Sequence, residues 1–158
     1  MDATPDCAAV VVGGRYTRDV ARAYAGTGVQ VVTRVDGPEG LGKPTVRQIA
    51  AVAAAKDNAD AVELAAPAPL LAVGAEVALR DDLAAVVAAA REVRSAVVVR
   101  VVIDSASVPG DLPVLSAAVR ASGADALVWA GPVSDAAGWL AVGADRVAVP
   151  GPKQTLVS

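Results

Sequence analysis

Two kinds of segment alternate along this chain, and the alternation limits its possible folds more than any other feature. Short Val-rich runs, such as AAVVV at 8–12 and VVVRVVI at 97–103, have the length and composition of strands buried on both faces. Longer Ala-rich stretches lie between them, with charges recurring at helical spacing. Parallel strands need a crossover long enough to hold a helix, so repeated units of this kind imply an α/β chain around a parallel sheet. The expected strands are Ala8–Val12, Val29–Val35, Ala61–Leu64, Val97–Ile103, Ala126–Trp129 and Arg146–Val149. The expected helices are Thr17–Tyr24, Thr45–Lys56, Val73–Val93, Leu112–Ala121 and Ser134–Val142.

Local chemistry supports this register. Thr17, Thr45 and Ser134 each offer a side-chain oxygen at a helix start, and Gly28, Gly123 and Gly143 sit where a helix must turn back into a strand. The triplet GAD occurs at 123–125 and again at 143–145, each time just before a strand. No linker, charge block or shift in composition divides the chain, so residues 1–158 are read as one domain. The tail, 151–158, is expected to be loosely attached.

Composition narrows the function. The hydrophobic fraction is 54% and the mean hydropathy +0.49, above the roughly 45–50% usual for globular chains; some apolar surface is expected to face another subunit, as in a homodimer. Aromatic residues make up 3% and the net charge is -3, which argues against base stacking and a basic nucleic-acid footprint. A small metabolite is the expected ligand, with no nucleic acid and no membrane as partners. The chain has no His and one Cys, Cys7, so His-dependent triads, His-ligated metals and internal disulfides are excluded together. That suits a reducing cytoplasm, and Cys7 is expected to be structural. The acidic start, Met1 to Asp6, does not read as a signal peptide, and no uncharged apolar run reaches the ~18 residues of a membrane span.

Ligands of parallel α/β folds sit at the carboxyl ends of the strands. Those positions hold Gly13 to Tyr16, Asp36 to Gly40, Glu63, Asp104 and Ser105, Trp129 to Ser134, and Pro150 with Gly151. Glu63 lies in a strand expected to be buried, where a carboxylate is costly to ionise without a partner and is suited to proton transfer. An ion pair with Arg34 or Arg100 is the competing reading. Arg100, flanked by valines, calls for a carboxylate such as Glu63 or Asp104. The segment GPEGLG at 37–42, followed by Lys43, could cradle an anion, but its spacing is not that of a P-loop, and a plain mobile turn is the simpler reading.

Several stretches together, AAVVVGGRYTRDVARAYAGTGVQVVTRVDGPEG, ADAVELAAPAPLLAVG, VVVRVVIDSA, GADALV and GADRVAV, resemble deoxyribose-phosphate aldolase, a class I aldolase family built on a TIM barrel. The resemblance runs from about Ala8 to Gly151. It implies a Schiff-base lysine on one strand, a second lysine on the next, and an aspartate that manages protons. Glu63 falls where that aspartate is expected and Arg100 falls on a further family lysine. Val128 falls on the Schiff-base lysine, and aligning LVWAGPV with the following strand puts it on the second lysine too. On this reading one strand replaces two, and the family's first strand has no counterpart before Ala8.

About six strands, against eight in a full barrel, point to a reduced or incomplete TIM-barrel-like repeat that closes tightly, stays open, or is completed by a partner. The expected function is a divergent enzyme of specialised metabolism. It would act on a small carbonyl compound by acid–base chemistry without a Schiff base or metal, in aldol-type bond formation, cyclisation, isomerisation or dehydration. Glu63, Asp104, Arg100 and Tyr16 are the expected catalytic residues. Arg34, Asp36, Gly131, Ser134 and Gly151 are expected to bind substrate, and no cofactor is expected. The alternatives are a non-catalytic metabolite-binding or assembly subunit, or deoxyribose-phosphate cleavage rescued by Lys43 or Lys153.

Overall fold

A computed structural model of the chain describes residues 8–37, 40–104, 112–130 and 146–148. Among these residues six strands form one sheet: β1 Ala9–Gly13, β2 Gln30–Arg34, β3 Ala61–Ala65, β4 Val98–Asp104, β5 Ala126–Ala130 and β6 Arg146–Ala148. Every neighbouring pair is parallel, and the strands lie in chain order from β1 to β6. Doubly wound sheets reverse their order at a switch point. Here the order never reverses, which is the arrangement of a barrel wall.

Helices α1 Thr17–Ala23, α2 Pro44–Lys56, α3 Ala68–Ala72, α4 Glu76–Val93 and α5 Leu112–Ala121 fill the crossovers. Two-residue periodicity decides what each strand shows them. Val62 and Leu64 of β3, Val99, Val101 and Ile103 of β4, and Leu127 of β5 pack against Ala51 and Ala54 of α2, Leu79, Leu83, Val86 and Ala90 of α4, and Leu115 and Val119 of α5. Glu63, Arg100 and Val128 occupy the alternate positions, so they belong to the opposite, inner face. On the outer side, the hydroxyls of Thr17 and Thr33 meet at 2.8 Å with both residues fully buried, joining α1 to β2.

The GAD triplet has a structural explanation. Asp125 donates its N–H to the Val99 carbonyl at 2.9 Å, and its Oδ2 accepts the Val99 N–H at 2.7 Å. Asp60, preceded by Asn-Ala rather than Gly-Ala, makes the same reciprocal pair with Val31, at 2.8 and 2.9 Å. An aspartate just before a strand thus satisfies a donor near the start of the preceding strand, which would otherwise go unpaired at the end of the ladder.

Three expectations are corrected. The stretch Val73–Val93 is not one helix: Gly74 takes φ +64 between α3 and α4, a conformation that ends a helix and that glycine adopts without strain. Thr17 does not cap α1, because Tyr16 holds that position with no side-chain bond and the Thr17 hydroxyl goes to Thr33. Thr45 does not cap α2 either. Lys43 precedes the helix without a side-chain cap and Pro44 opens it, as proline's fixed φ allows. The helix expected at Ser134–Val142, Gly143, Cys7 and the tail lie outside the described residues.

Candidate functional site

Register places three charged residues in one row on the inner face: Arg34 lies opposite Glu63, and Glu63 opposite Arg100. Neighbouring strands are about 4.8 Å apart, so Glu63 is within reach of an arginine on either side. It pairs with Arg34, whose Nε and Nη2 lie 3.0 and 2.5 Å from Oε1. Both donors converge on one oxygen instead of engaging the carboxylate fork to fork. Oε2 accepts nothing from the described residues.

Burial differs across the pair. Glu63 is 7% exposed, while the Arg34 side chain is 41% exposed, so the carboxylate sits in the wall and its partner reaches the surface. Arg100 is buried as well, and its Nη2 donates to Oε1 of Gln30 at 2.8 Å. This neutral partner, two residues before Val32 on β2, was not foreseen. A long side chain leaning along the sheet toward the strand starts reaches it, and nothing in linear spacing signals that.

Val128 lies on the same face, opposite Val102 of β4, and is buried. The β5 position in the charged row itself is Ala126, opposite Arg100, and Val128 stands two residues further toward the carboxyl end; both are hydrocarbon, unable to form an imine or carry charge.

The other expected site residues are placed as follows. Tyr16 lies in a 3-10 turn directly after β1, with the Arg15 guanidinium 4.9 Å from its ring centroid, a cation–π distance. Asp36 turns to Arg47. The side chain of Asp104, and all of Ser105, Gly131, Ser134 and Gly151, lie outside the described residues. The structure therefore brings together Arg34, Glu63 and Arg100, and sets Tyr16 and Asp36 in other contacts.

Arg47, not singled out from the sequence, is 1% exposed. Its Nη2 donates to the Ala65 carbonyl at 2.7 Å, its Nη1 pairs with Asp82 of α4, and its Nε lies 3.0 Å from Asp36 Oδ2. That last contact is an ion pair in distance but is misaligned for a hydrogen bond. A signal was present, since Arg47 shares the apolar stripe of α2 with Ala51, Ala54 and Ala55, and a base on such a stripe needs buried oxygens.

The loop after β2 packs closely on this cluster. A Cβ on Gly40, which has φ +61, would meet the Ala66 and Ala65 carbonyl oxygens at 2.8 and 2.9 Å, and one on Gly42 would meet Asp36 Oδ1 at 3.0 Å. Gly40 and Gly42 thus fit closely against the carboxyl end of β3 and the Asp36 side chain. Among the described residues no group of His, Cys, Asp and Glu could hold a metal ion, and no helix is long and apolar enough to cross a membrane.

No family model matches the chain, and no curated protein does. Solved structures do resemble it. A Coccidioides immitis protein described by assignment as a deoxyribose-phosphate aldolase superposes with a TM-score of 0.72 at 16% identity, over 89% of this chain and 68% of its own. The tetrameric deoxyribose phosphate aldolase from Aeropyrum pernix gives 0.63 at 21% identity, over 75% of this chain and 49% of its own. A protein named QR15, an aldolase, gives 0.59 at 16% identity, over 90% of this chain and 76% of its own. The chain thus spans between about half and three quarters of the structures it resembles, and its fold is a partial, TIM-barrel-like version of theirs.

Proposed function

We propose that this chain is an aldolase-related enzyme that acts on a small carbonyl metabolite by moving protons, without a covalent imine. Glu63 is the general base and acts through Oε2. Arg34 fixes the carboxylate through Oε1, and Arg100 adds positive charge to the wall from the adjacent strand. Asp104 and Tyr16 donate protons, Gly131, Ser134 and Gly151 bind the substrate while Asp36 stays with Arg47, and the chain assembles with itself. The observation that supports this most is the Glu63 carboxylate, buried beside two arginines with one oxygen that accepts nothing from the described residues. Val128 on the same face supports chemistry without a lysine.

The test is turnover of a panel of small aldehydes and ketones, followed by NMR. Glu63→Gln keeps the shape and removes the base, so turnover falls at least about a hundredfold; unchanged turnover overturns the assignment. Borohydride reduction in the presence of deoxyribose 5-phosphate is expected to leave no mass adduct on lysine. An adduct would instead favour imine chemistry through a relocated lysine.

A second reading has its own support. The Arg34 contact satisfies Glu63 as a structural ion pair would, which fits a non-catalytic subunit that binds a metabolite. That reading predicts a ligand-dependent rise in Tm with no product formed.

A further inference from the structure

We infer that the amino-terminal end of the sheet carries a second ligand site, for a small phosphate monoester. The inference does not depend on the proposed chemistry. Two cavities of about 340 and 350 Å3 lie there and share Ala21, Ala25 and Asn58 as walls. Their size is at the small end of the range for ligand sites. They open between the last turns of α1 and α2 and the starts of β2 and β3, at the other end of the strands from the loop clasped by Arg47.

The charges in this cleft are unevenly committed. Asp57 is held by Arg18 at 2.6 Å, and Asp60 Oδ2 accepts the Val31 N–H. Arg22 and Lys56, both exposed and both lining the second cavity, have no ion-pair partner among the described residues. A base in the last turn of a helix is common because it offsets the helix dipole. Each dipole end amounts to only about half a charge, however, so two helices leave roughly one positive charge over.

The turn between α1 and β2 adds donors. Gly26 and Gly28 line the first cavity at φ +78 and +80. The N–H groups of Tyr24, Ala25, Thr27, Val29 and Gln30 are all bonded, whereas those of Gly26 and Gly28 find no acceptor among the described residues. With the Thr27 N–H bonded to the Tyr24 carbonyl the turn is not a nest of successive donors, but its two glycine N–H groups beside the cavity are available to an anion. A Cβ would meet nothing at either position, so the turn needs glycine for its backbone angles and not for space. The positive charge left over favours an anion, and two cationic side chains can each meet a different oxygen of a phosphate monoester, which carries close to two negative charges at neutral pH. Ala21, Tyr24 and Val29 give a short carbon skeleton an apolar wall.

The test is an NMR titration of the whole chain with ribose 5-phosphate, ribose, inorganic phosphate and succinate. Saturable shifts at the Gly26 and Gly28 amides are expected with ribose 5-phosphate, weaker ones with inorganic phosphate, and none with ribose. Arg22→Met with Lys56→Met, both at exposed positions, should weaken binding about a hundredfold, or about tenfold for each charge-assisted contact. Lys56→Arg should retain it. Four results would each overturn the site: no saturable shift, shifts confined to the Arg34–Glu63 row, equal affinity in the double variant, or succinate binding as tightly as the phosphate ester.

Discussion

Two ionic clusters stand near the carboxyl ends of β2 and β3, and they differ in how fully their groups are engaged. Arg47 is 1% exposed, and its three guanidinium nitrogens face three different oxygens, on Asp36, Asp82 and Ala65. Arg34 sends two nitrogens to a single oxygen of Glu63, and its side chain is 41% exposed. A cluster buried to this degree, with each guanidinium nitrogen facing an oxygen even where the Nε contact is an ion pair without a hydrogen bond, holds the fold together. One with a spare carboxylate oxygen has capacity left for a substrate, and the difference separates scaffold from candidate site more sharply than burial does.

Arg47→Met tests the contrast most severely, because it leaves Asp36 and Asp82, whose side chains are each 10% exposed, without their cation. Urea unfolding should show a loss of about 3–5 kcal/mol, the usual cost of removing one partner of a buried pair. Arg47→Lys keeps the charge but not the planar fork, and should cost about 1.5–3 kcal/mol through lost charged hydrogen bonds. Gly40→Ala forces a side chain into φ +61 and onto two carbonyl oxygens, and should cost about 1–3 kcal/mol in the same assay. Arg34→Met comes last: the arginine is half exposed, so water can reach the carboxylate it leaves, but Glu63 is itself buried, and the cost should be about 1–2 kcal/mol, that of one buried polar group losing its partner. If Arg34→Met proved as destabilising as Arg47→Met, the Glu63 row would be scaffold as well, and the non-catalytic reading would gain.

Much of this was legible in the chain itself. All six strands, and helices α1, α2 and α5, fall within a residue or two of where hydrophobic periodicity places them, because a strand buried on both faces must be rich in Val and a crossover must be long enough for a helix. Glu63 and Arg100 stood out as charges inside apolar runs. The break at Gly74 did not, because a lone glycine in an Ala-rich stretch is compatible with a continuing helix. The cleft beside Gly26 and Gly28 was hidden too: Lys56 ends α2, far in sequence from Arg22 and the turn that follows it, and only folding brings them together.

The sequence by itself determined the alternation of strand and helix, and with it the face each strand residue occupies, since the side-chain period of two is set by backbone geometry. Partner choice was left to tertiary structure. Glu63 stands between two arginines at equal register, so which of them it meets depends on how long side chains lean across a twisted wall. Arg47 is buried because Asp36 and Asp82 arrive from other elements to receive it. Register follows from local pattern, but long-range pairing depends on where separate segments converge.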